Sequence, residues 1–273
     1  MTRHTPIAMT IAGSDSGGGA GIQADLKTFS ALGVYGCSVI AALTAQNTRA
    51  VTGIFPIDPG FVRQQIDTVF ADIAVDAVKI GMLGDVATIR AVRDGLAANS
   101  PKWIVLDPVM VAKSGDALLA RDAVAALVGD MLPLADIVTP NLPEAAAILD
   151  DAEEAAGQDA MEETARRLHA MGPKAVLLKG GHLKGADSSD LLFDGADMVW
   201  LPSQRIETKN THGTGCTLSS AIAAGLAKGL SVRDAVIEAK AYIGRAIAAA
   251  DTLTIGSGHG PVHHFHAYWP ENG

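Results

Sequence analysis

Cys216 closes the run THGTGC, residues 211–216, and a thiol at that address can be a reagent or merely a small apolar residue in a crowded corner. Gly213 and Gly215 let consecutive amides point inward, with Thr214 between them, just where a helix of small residues begins. Backbone N–H groups and a helix dipole arranged in that way make an anion site. The plainer reading is a helix cap whose glycines permit close packing. Cys37, the one other cysteine, is far away in sequence, so the spacing offers neither a disulfide framework nor a paired metal ligand.

Acidic, amide and basic groups supply matching parts. Asp107 follows the apolar WIVL, and Asn141 with Glu144 follows DIVTP in the spacing N-x-x-E. Such carboxylates can hold a hydrated magnesium ion, which takes one or two carboxylates together with phosphate oxygens. Asp107 before a proline can equally be a turn residue, and Glu144 can simply stabilise the first turn of its helix. Lys179 ends the apolar AVLLK, where its ammonium loses water unless a negative group meets it. Phosphate suits that point charge. An anion nest, magnesium carboxylates and a strand-end lysine together fit phosphoryl transfer, which needs positioning and charge neutralisation more than covalent chemistry.

The first glycine loop, GSDSGGGAGIQAD, fits neither common nucleotide motif. No GK[ST] closes it, since Ile22 follows Gly21 and the first lysine is Lys27. A dinucleotide fingerprint can be forced through Gly19, Gly21 and Ala24, but Val39 to Gln46 lacks the acidic ribose partner. What remains is either a strand-to-helix turn or, favoured by the glycine density, a close-approach wall or lid over a small-molecule pocket at Gly17 to Gly21.

The elements that must position these groups alternate in kind. PIAMTIAG, CSVIAALTA, DAVKIGML, WIVLDPVM, DIVTPN and AVLLKGG read as buried strands; residues 22–33, 59–73, 86–98, 121–132 and 161–171 carry helical periodicity. Two long alanine-rich helices follow at 212–229 and 231–251, and DLLFDGADMVWLP reads as an antiparallel hairpin about Gly195. The polar interlude from Asp150 to Glu163 reads as a surface loop entering a helix. The expected fold is an α/β sandwich, a mainly parallel sheet covered on both faces. Ligands in such sheets bind beyond the carboxyl ends of the strands.

The 273 residues read as one domain, 1–273, because no linker-like segment divides them. The formal charge of −9, without a Lys/Arg-rich run, argues against a nucleic acid or an anionic membrane as partner and favours a small molecule. No run approaches membrane-spanning length, and the N-terminus does not resemble a signal peptide. The expectation is a cytoplasmic protein.

In seven ordered segments the chain resembles the ribokinase-like superfamily and, within it, the bacterial hydroxymethylpyrimidine/phosphomethylpyrimidine kinases of thiamine biosynthesis. They are GSDSGGGAGIQADLKTFSALGVYGCSVIAALTAQNT, VKIGML, LDPVMVAKSG, TPNLPEA, LLKGGH, TKNTHGTGCTLSSAIAA and GPVHHFHAYW. The resemblance implies a three-layer α/β/α sandwich, ATP and Mg²⁺ as cofactors, and a homodimer. The implied reaction phosphorylates 4-amino-5-hydroxymethyl-2-methylpyrimidine and then its monophosphate. Gln46, where many relatives carry glutamate, would hydrogen-bond the aminopyrimidine; Gly13, Met82 and Val109 would line the pocket. Asp25 matches a position near that pocket, the alternative being a helix-surface role. Asp107, Asn141, Glu144 and Lys179 would serve ATP and, through Asp107 and Glu144, magnesium; Thr211 and Lys240 match positions near the nucleotide, although Lys240 can also be an exposed helix residue. Gly213, Thr214, Gly215 and Cys216 would form the anion hole.

Cys216 stands where the superfamily's commonest pattern has aspartate as base for the acceptor hydroxyl. A helix N-terminus and surrounding amides can bring a thiol from about 8.5 to about 7.5 or below. Cys216 would then accept the hydroxyl proton in the first phosphorylation and matter less in the second, whose acceptor is already a phosphate. His263, His264 and His266 are expected to pack or face solvent rather than bind metal. At 273 residues no fused thiamine-phosphate synthase domain is expected. The rival readings are a pyridoxal or pyridoxine kinase and a non-catalytic ligand-binding protein on the same fold.

Overall fold

A computed structural model describes residues 4–110, 121–183, 185 and 188–269. Apolar runs too short for helices become β1 (Ile7–Gly13), β2 (Tyr35–Gln46), β4 (Ala77–Ile80), β5 (Ile104–Leu106), β6 (Ile137–Val138) and β7 (Val176–Leu178). These pair in parallel, in the order β2-β1-β4-β5-β6-β7. The hairpin at Gly195, β8 (Asp190–Phe193) and β9 (Met198–Leu201), adds antiparallel to β7. At the opposite edge β3 (Val51–Pro56) pairs antiparallel with an extended β2. The sequence pattern missed β3 because most of it is exposed, so no buried apolar run marks it.

Successive strand residues feed opposite layers. Met9, Ile11, Val78, Ile80 and Leu106 join a core under α2 (Pro59–Phe70), α3 (Val86–Asn99), α4 (Arg121–Ala126), α5 (Leu142–Leu149) and α6 (Gln158–His169). Ala8, Ala77, Val105, Ile137 and Leu177 join a second core under α1 (Gly21–Ala31), α7 (Thr214–Ala227) and α8 (Val232–Ala248). This is the three-layer sandwich, and the period of two along each strand produces it. The helix expected over 121–132 ends as α4 at Ala126 and widens into a π-type turn, Leu127–Met131, with Gly129 inside and Pro133 just beyond. No helix among the described residues is long and apolar enough to cross a membrane.

The helix starts differ in a way that bears on the site. Asp58, Asp85, Asn141 and Ser231 cap α2, α3, α5 and α8 with side-chain acceptors. No side chain caps α1 or α7, which begin after Ala20 and Gly213; α6 likewise starts after Gly157. Thr214 N–H donates to the Thr211 carbonyl at 3.3 Å, so at the start of α7 it is the next amides, those of Gly215 and Cys216, that lack a side-chain cap.

Candidate active site

Three adjacent strand ends build the charged part of the site. Asp107 follows β5, Asn141 follows β6 and Lys179 follows β7, and a parallel bridge ties Asn141 to Lys179. Lys179 Nζ lies 3.2 Å from Asp107 Oδ1 and 3.8 Å from Glu144 Oε2. Thr139 and Ser219 hydroxyls donate to the two Asp107 oxygens, each at 3.2 Å. Burial pushes the Asp107 carboxyl up, but the ammonium groups of Lys179 and Lys79 outweigh it and hold the group below the usual carboxylate range.

Glu144 does serve its helix, as one sequence reading allowed. The Asn141 amide N–H donates to its Oε2 and the Asn141 side chain accepts from the Glu144 N–H, both at 2.8 Å, a reciprocal capping box. That geometry also points the carboxylate at Lys179. Burial, reinforced by Asp107 and opposed by Lys179, pushes Glu144 up to about 7. Asp107 and Glu144 fit a hydrated magnesium ion arriving with a nucleotide: both adjoin Lys179, and they are few enough to leave most ligand positions to water and phosphate. Among the described residues, no group of three or more His, Cys, Asp or Glu side chains forms a closed metal cage.

The glycine turn before α7 adjoins this cluster. Gly213 has φ +80°, and a methyl group there would collide with the Gly19 carbonyl, so the two glycine loops touch backbone to backbone. A methyl at Gly215 would stand 3.4 Å from Lys179 Nζ and 3.7 Å from Asp107 Oδ2. No side chain separates the amides of the turn from the lysine and the acid. Thr214 turns its hydroxyl back to the Thr211 carbonyl at 2.8 Å, which braces the turn.

Cys216 sits where two helix starts converge. It belongs to the first turn of α7, and the backbone of Gly21, the first residue of α1, acts to lower its thiol. The expected lowering of the thiol does not occur. Burial dominates and, with Asp25 and Asp107 adding to it and Lys79 opposing, pushes Cys216 up to about 11.

At the other end of the site, Gly13 ends β1 and its N–H donates to the Met82 carbonyl at 3.0 Å; a methyl at Gly13 would strike the Met82 methyl group. Val109 lies just past β5, where the described residues pause at 110. Gln46 ends β2 within reach of Thr44 and His212, both 3.3 Å away. Asp15 folds the first glycine loop around itself, accepting from the N–H groups of Gly17, Gly19 and Ala20 at 2.8–2.9 Å and from His212 Nε2 at 2.9 Å. Asp15 and His212 were inside quoted motifs, yet nothing in the spacing marked them as partners.

Two expectations need correction. Asp25 is not a helix-surface residue, and it is buried too fully to present its carboxylate to a substrate: it is 0% exposed and accepts from Thr10, Ser220 and Lys79 at 2.6–3.0 Å. Lys79, also 0% exposed, was missed by sequence reasoning; its signal was a lysine between the apolar residues of DAVKIGML. Lys240 is not a solvent-facing helix residue, for it donates to Asp190 at 2.6 Å, and Asp190 in turn accepts from the Gly180 N–H just beyond Lys179. Thr211 precedes the anion turn, as expected from its motif. His263 and His264 pack inward, His263 against Trp269 and His264 with Nε2 3.0 Å from the Thr217 hydroxyl.

Comparison with known proteins agrees with this geometry. The family model described as phosphomethylpyrimidine kinase matches residues 15–263. The hydroxymethylpyrimidine/phosphomethylpyrimidine kinase of Rhizobium meliloti is 60% identical over 268 residues, covering 98% of this chain and 100% of its own. Among solved structures, the ADP complex of Bacillus subtilis pyridoxal kinase superposes with a TM-score of 0.89 at 39% identity, covering 97% of this chain and 99% of that one. The phosphomethylpyrimidine kinase of Clostridium difficile gives 0.79 at 44% identity over 88% of this chain and 99% of its own. The chain belongs to the phosphomethylpyrimidine kinase family.

Proposed function

We propose that this protein transfers the γ-phosphoryl group of ATP to the hydroxymethyl group of 4-amino-5-hydroxymethyl-2-methylpyrimidine and then phosphorylates the resulting monophosphate. The observation that carries the reading is the contact of the Gly213–Cys216 turn with the Lys179–Asp107 pair across the bare Gly215. Amides and a lysine there face the place where a transferring phosphoryl group concentrates charge. Asp107 and Glu144 would hold Mg²⁺, which neutralises phosphate charge when bound. Asn141 positions Glu144, and Lys240 with Thr211 supports the backbone around the nucleotide. Gln46, Gly13, Met82 and Val109 form the ring end of the site. A homodimer in the cytoplasm completes the proposal, on the strength of the family resemblance. Turnover of the pyrimidine alcohol with ATP and magnesium, set beside turnover of pyridoxal, tests it. Preference for pyridoxal would favour the second reading, which rests on the likeness to the Bacillus subtilis enzyme.

Cys216 is proposed as the base for the hydroxyl proton, acting through its thiolate. With the thiol at about 11, the thiolate fraction rises about tenfold per pH unit below that value. The rate of the alcohol step should therefore climb from pH 7 to 9, while the phosphate step stays nearly flat. Cys216→Ala should abolish that climb and cost the alcohol step about a hundredfold, well beyond its effect on the phosphate step. Equal losses in both steps would assign the thiol to alignment alone.

A further inference from the structure

Asp15 occupies the amides of the first glycine loop. Its carboxylate accepts from the N–H groups of Gly17, Gly19 and Ala20 at 2.8–2.9 Å, and its carbonyl accepts from Gly18 at 2.9 Å. Four consecutive amides are thereby committed within the loop, so its glycines do not form a nest open to phosphate. That work falls to the Gly213–Cys216 turn. The Asp15 carboxylate also reaches one group outside its loop. His212 Nε2 lies 2.9 Å from Asp15 Oδ2, and a carboxylate opposite that nitrogen requires it to carry the hydrogen. Burial pushes the Asp15 carboxyl up, but His212 and the amides of Ala20 and Gly17 outweigh it and hold the group below the usual carboxylate range. A hydrogen bond to an ionised acceptor is the stronger kind.

His212 is the residue before the anion turn. Its backbone is held from the far side, where its N–H donates to the Gly260 carbonyl at 3.0 Å and its carbonyl accepts from Val262 at 3.3 Å. Its ring lies against Gly19: a methyl group there would strike the imidazole, just as a methyl at Gly213 would strike the Gly19 carbonyl. Side chain and backbone together fix His212 between the first glycine loop and residues 260–262. The next residue, Gly213, starts the turn.

We propose that Asp15 and His212 are positioning residues for phosphoryl transfer: the bond between them ties the first glycine loop to the Gly213–Cys216 turn and holds the amides of that turn in place beside Lys179. The inference rests on the proposed role of the turn at the transferring phosphoryl group. Both residues act through the turn and not on the reacting atoms. Donors serve a developing charge only where they are already aimed at it, and a displacement of about an ångström costs up to about a hundredfold in rate. Ground-state binding of the nucleotide, which draws on other parts of the site, is far less sensitive to that displacement.

The test measures binding of a mimic of the transferring group beside the rate, because an affinity is a property of the folded molecules and is not altered by a misfolded fraction. Aluminium fluoride with MgADP and the alcohol substrate supplies the mimic, and MgADP alone is the reference. His212→Leu should lower kcat for both phosphorylation steps about ten- to hundredfold and weaken aluminium fluoride binding by a similar factor. The Kd for MgADP alone should move by less than about threefold. His212→Gln, whose amide N–H can reach Asp15 in place of Nε2–H, should restore most of both losses. In an Asp15→Ala background, His212→Leu should weaken the mimic no further. A mimic affinity that is unchanged in His212→Leu, that His212→Gln fails to restore, or that falls again in the Asp15→Ala background overturns the tie. Gly215→Ala tests the underlying reading separately, since its methyl group would stand before Lys179 and Asp107. If Gly215→Ala weakens the mimic and His212→Leu does not, the tie alone falls. If Gly215→Ala leaves kcat and the mimic intact, the phosphoryl role of the turn falls, and the inference falls with it.

Discussion

Replacing Lys179 by methionine is expected to lower kcat for the pyrimidine alcohol by about two to three powers of ten, the scale for removing one preorganised donor to a developing charge. The side chain is 15% exposed, and its ammonium adjoins Asp107, Glu144 and the bare face of Gly215. Its position allows two explanations. The ammonium can serve the transferring phosphoryl group, or it can merely keep two buried carboxylates from repelling each other. Methionine fills similar volume without charge, so the folded state loses the ion pair but little packing. If the lysine serves the phosphoryl group, kcat falls while KM for the alcohol moves by less than about threefold, because the ring end of the site is untouched. Lys179→Arg keeps the charge but replaces a compact ammonium with a planar fork, and it should recover only part of the rate. Steady-state kinetics on variants shown by thermal melting to be folded separate the explanations. A methionine variant within tenfold of the parent rate would remove the lysine from the phosphoryl site.

Much of this site was legible because strand ends are legible. Asp107, Asn141 and Lys179 each follow a short apolar run, and parallel strands deliver all their carboxyl ends to one rim. Motif spacing likewise located the Gly213–Cys216 turn. What escaped was information that resides in contacts rather than in local pattern. Asp25 looked like a helix-surface or pocket residue because one carboxylate in a helix does not reveal that a lysine 54 positions later fills the adjoining strand. The thiol's acidity was misjudged for the same reason: a helix N-terminus and its surrounding amides argued for lowering it, whereas burial, invisible in sequence, outweighs them. His212 and Asp15, 197 positions apart, meet only because α1 and α7 begin side by side. β3 escaped for the opposite cause, having too little buried surface to leave an alternating signature.

The second large effect is expected at Lys79, in the core beneath the anion turn. Asp25 has both oxygens 3.0 Å from Lys79 Nζ, and neither side chain reaches solvent. Removing one partner of a buried pair leaves an uncompensated charge, so Lys79→Met should cost about 3–5 kcal/mol at pH 8, read by urea unfolding. The loss should depend on pH with a definite sign. Burial already raises the Asp25 carboxyl above its ordinary 3.8, with Lys79 the chief opposing influence, so without Lys79 it rises further. A carboxyl raised in the folded state favours folding below its unfolded value, and that contribution is lost as pH climbs through the folded value. The variant should consequently be much less destabilised at pH 5 than at pH 8. Adding Asp25→Asn should recover more than half of the loss at pH 8, since no buried charge remains. A cost below about 1 kcal/mol at pH 8 would show that the pair contributes little to the folded state. The pair also reaches the chemistry, because Lys79 is the main influence drawing the Cys216 thiol down against its burial. In the double variant that influence and the opposing one of Asp25 are both gone, while folding is largely restored. If the thiolate is the base, the alcohol step at pH 8 should then slow only by the margin by which Lys79 outweighs Asp25, and the phosphate step should not change.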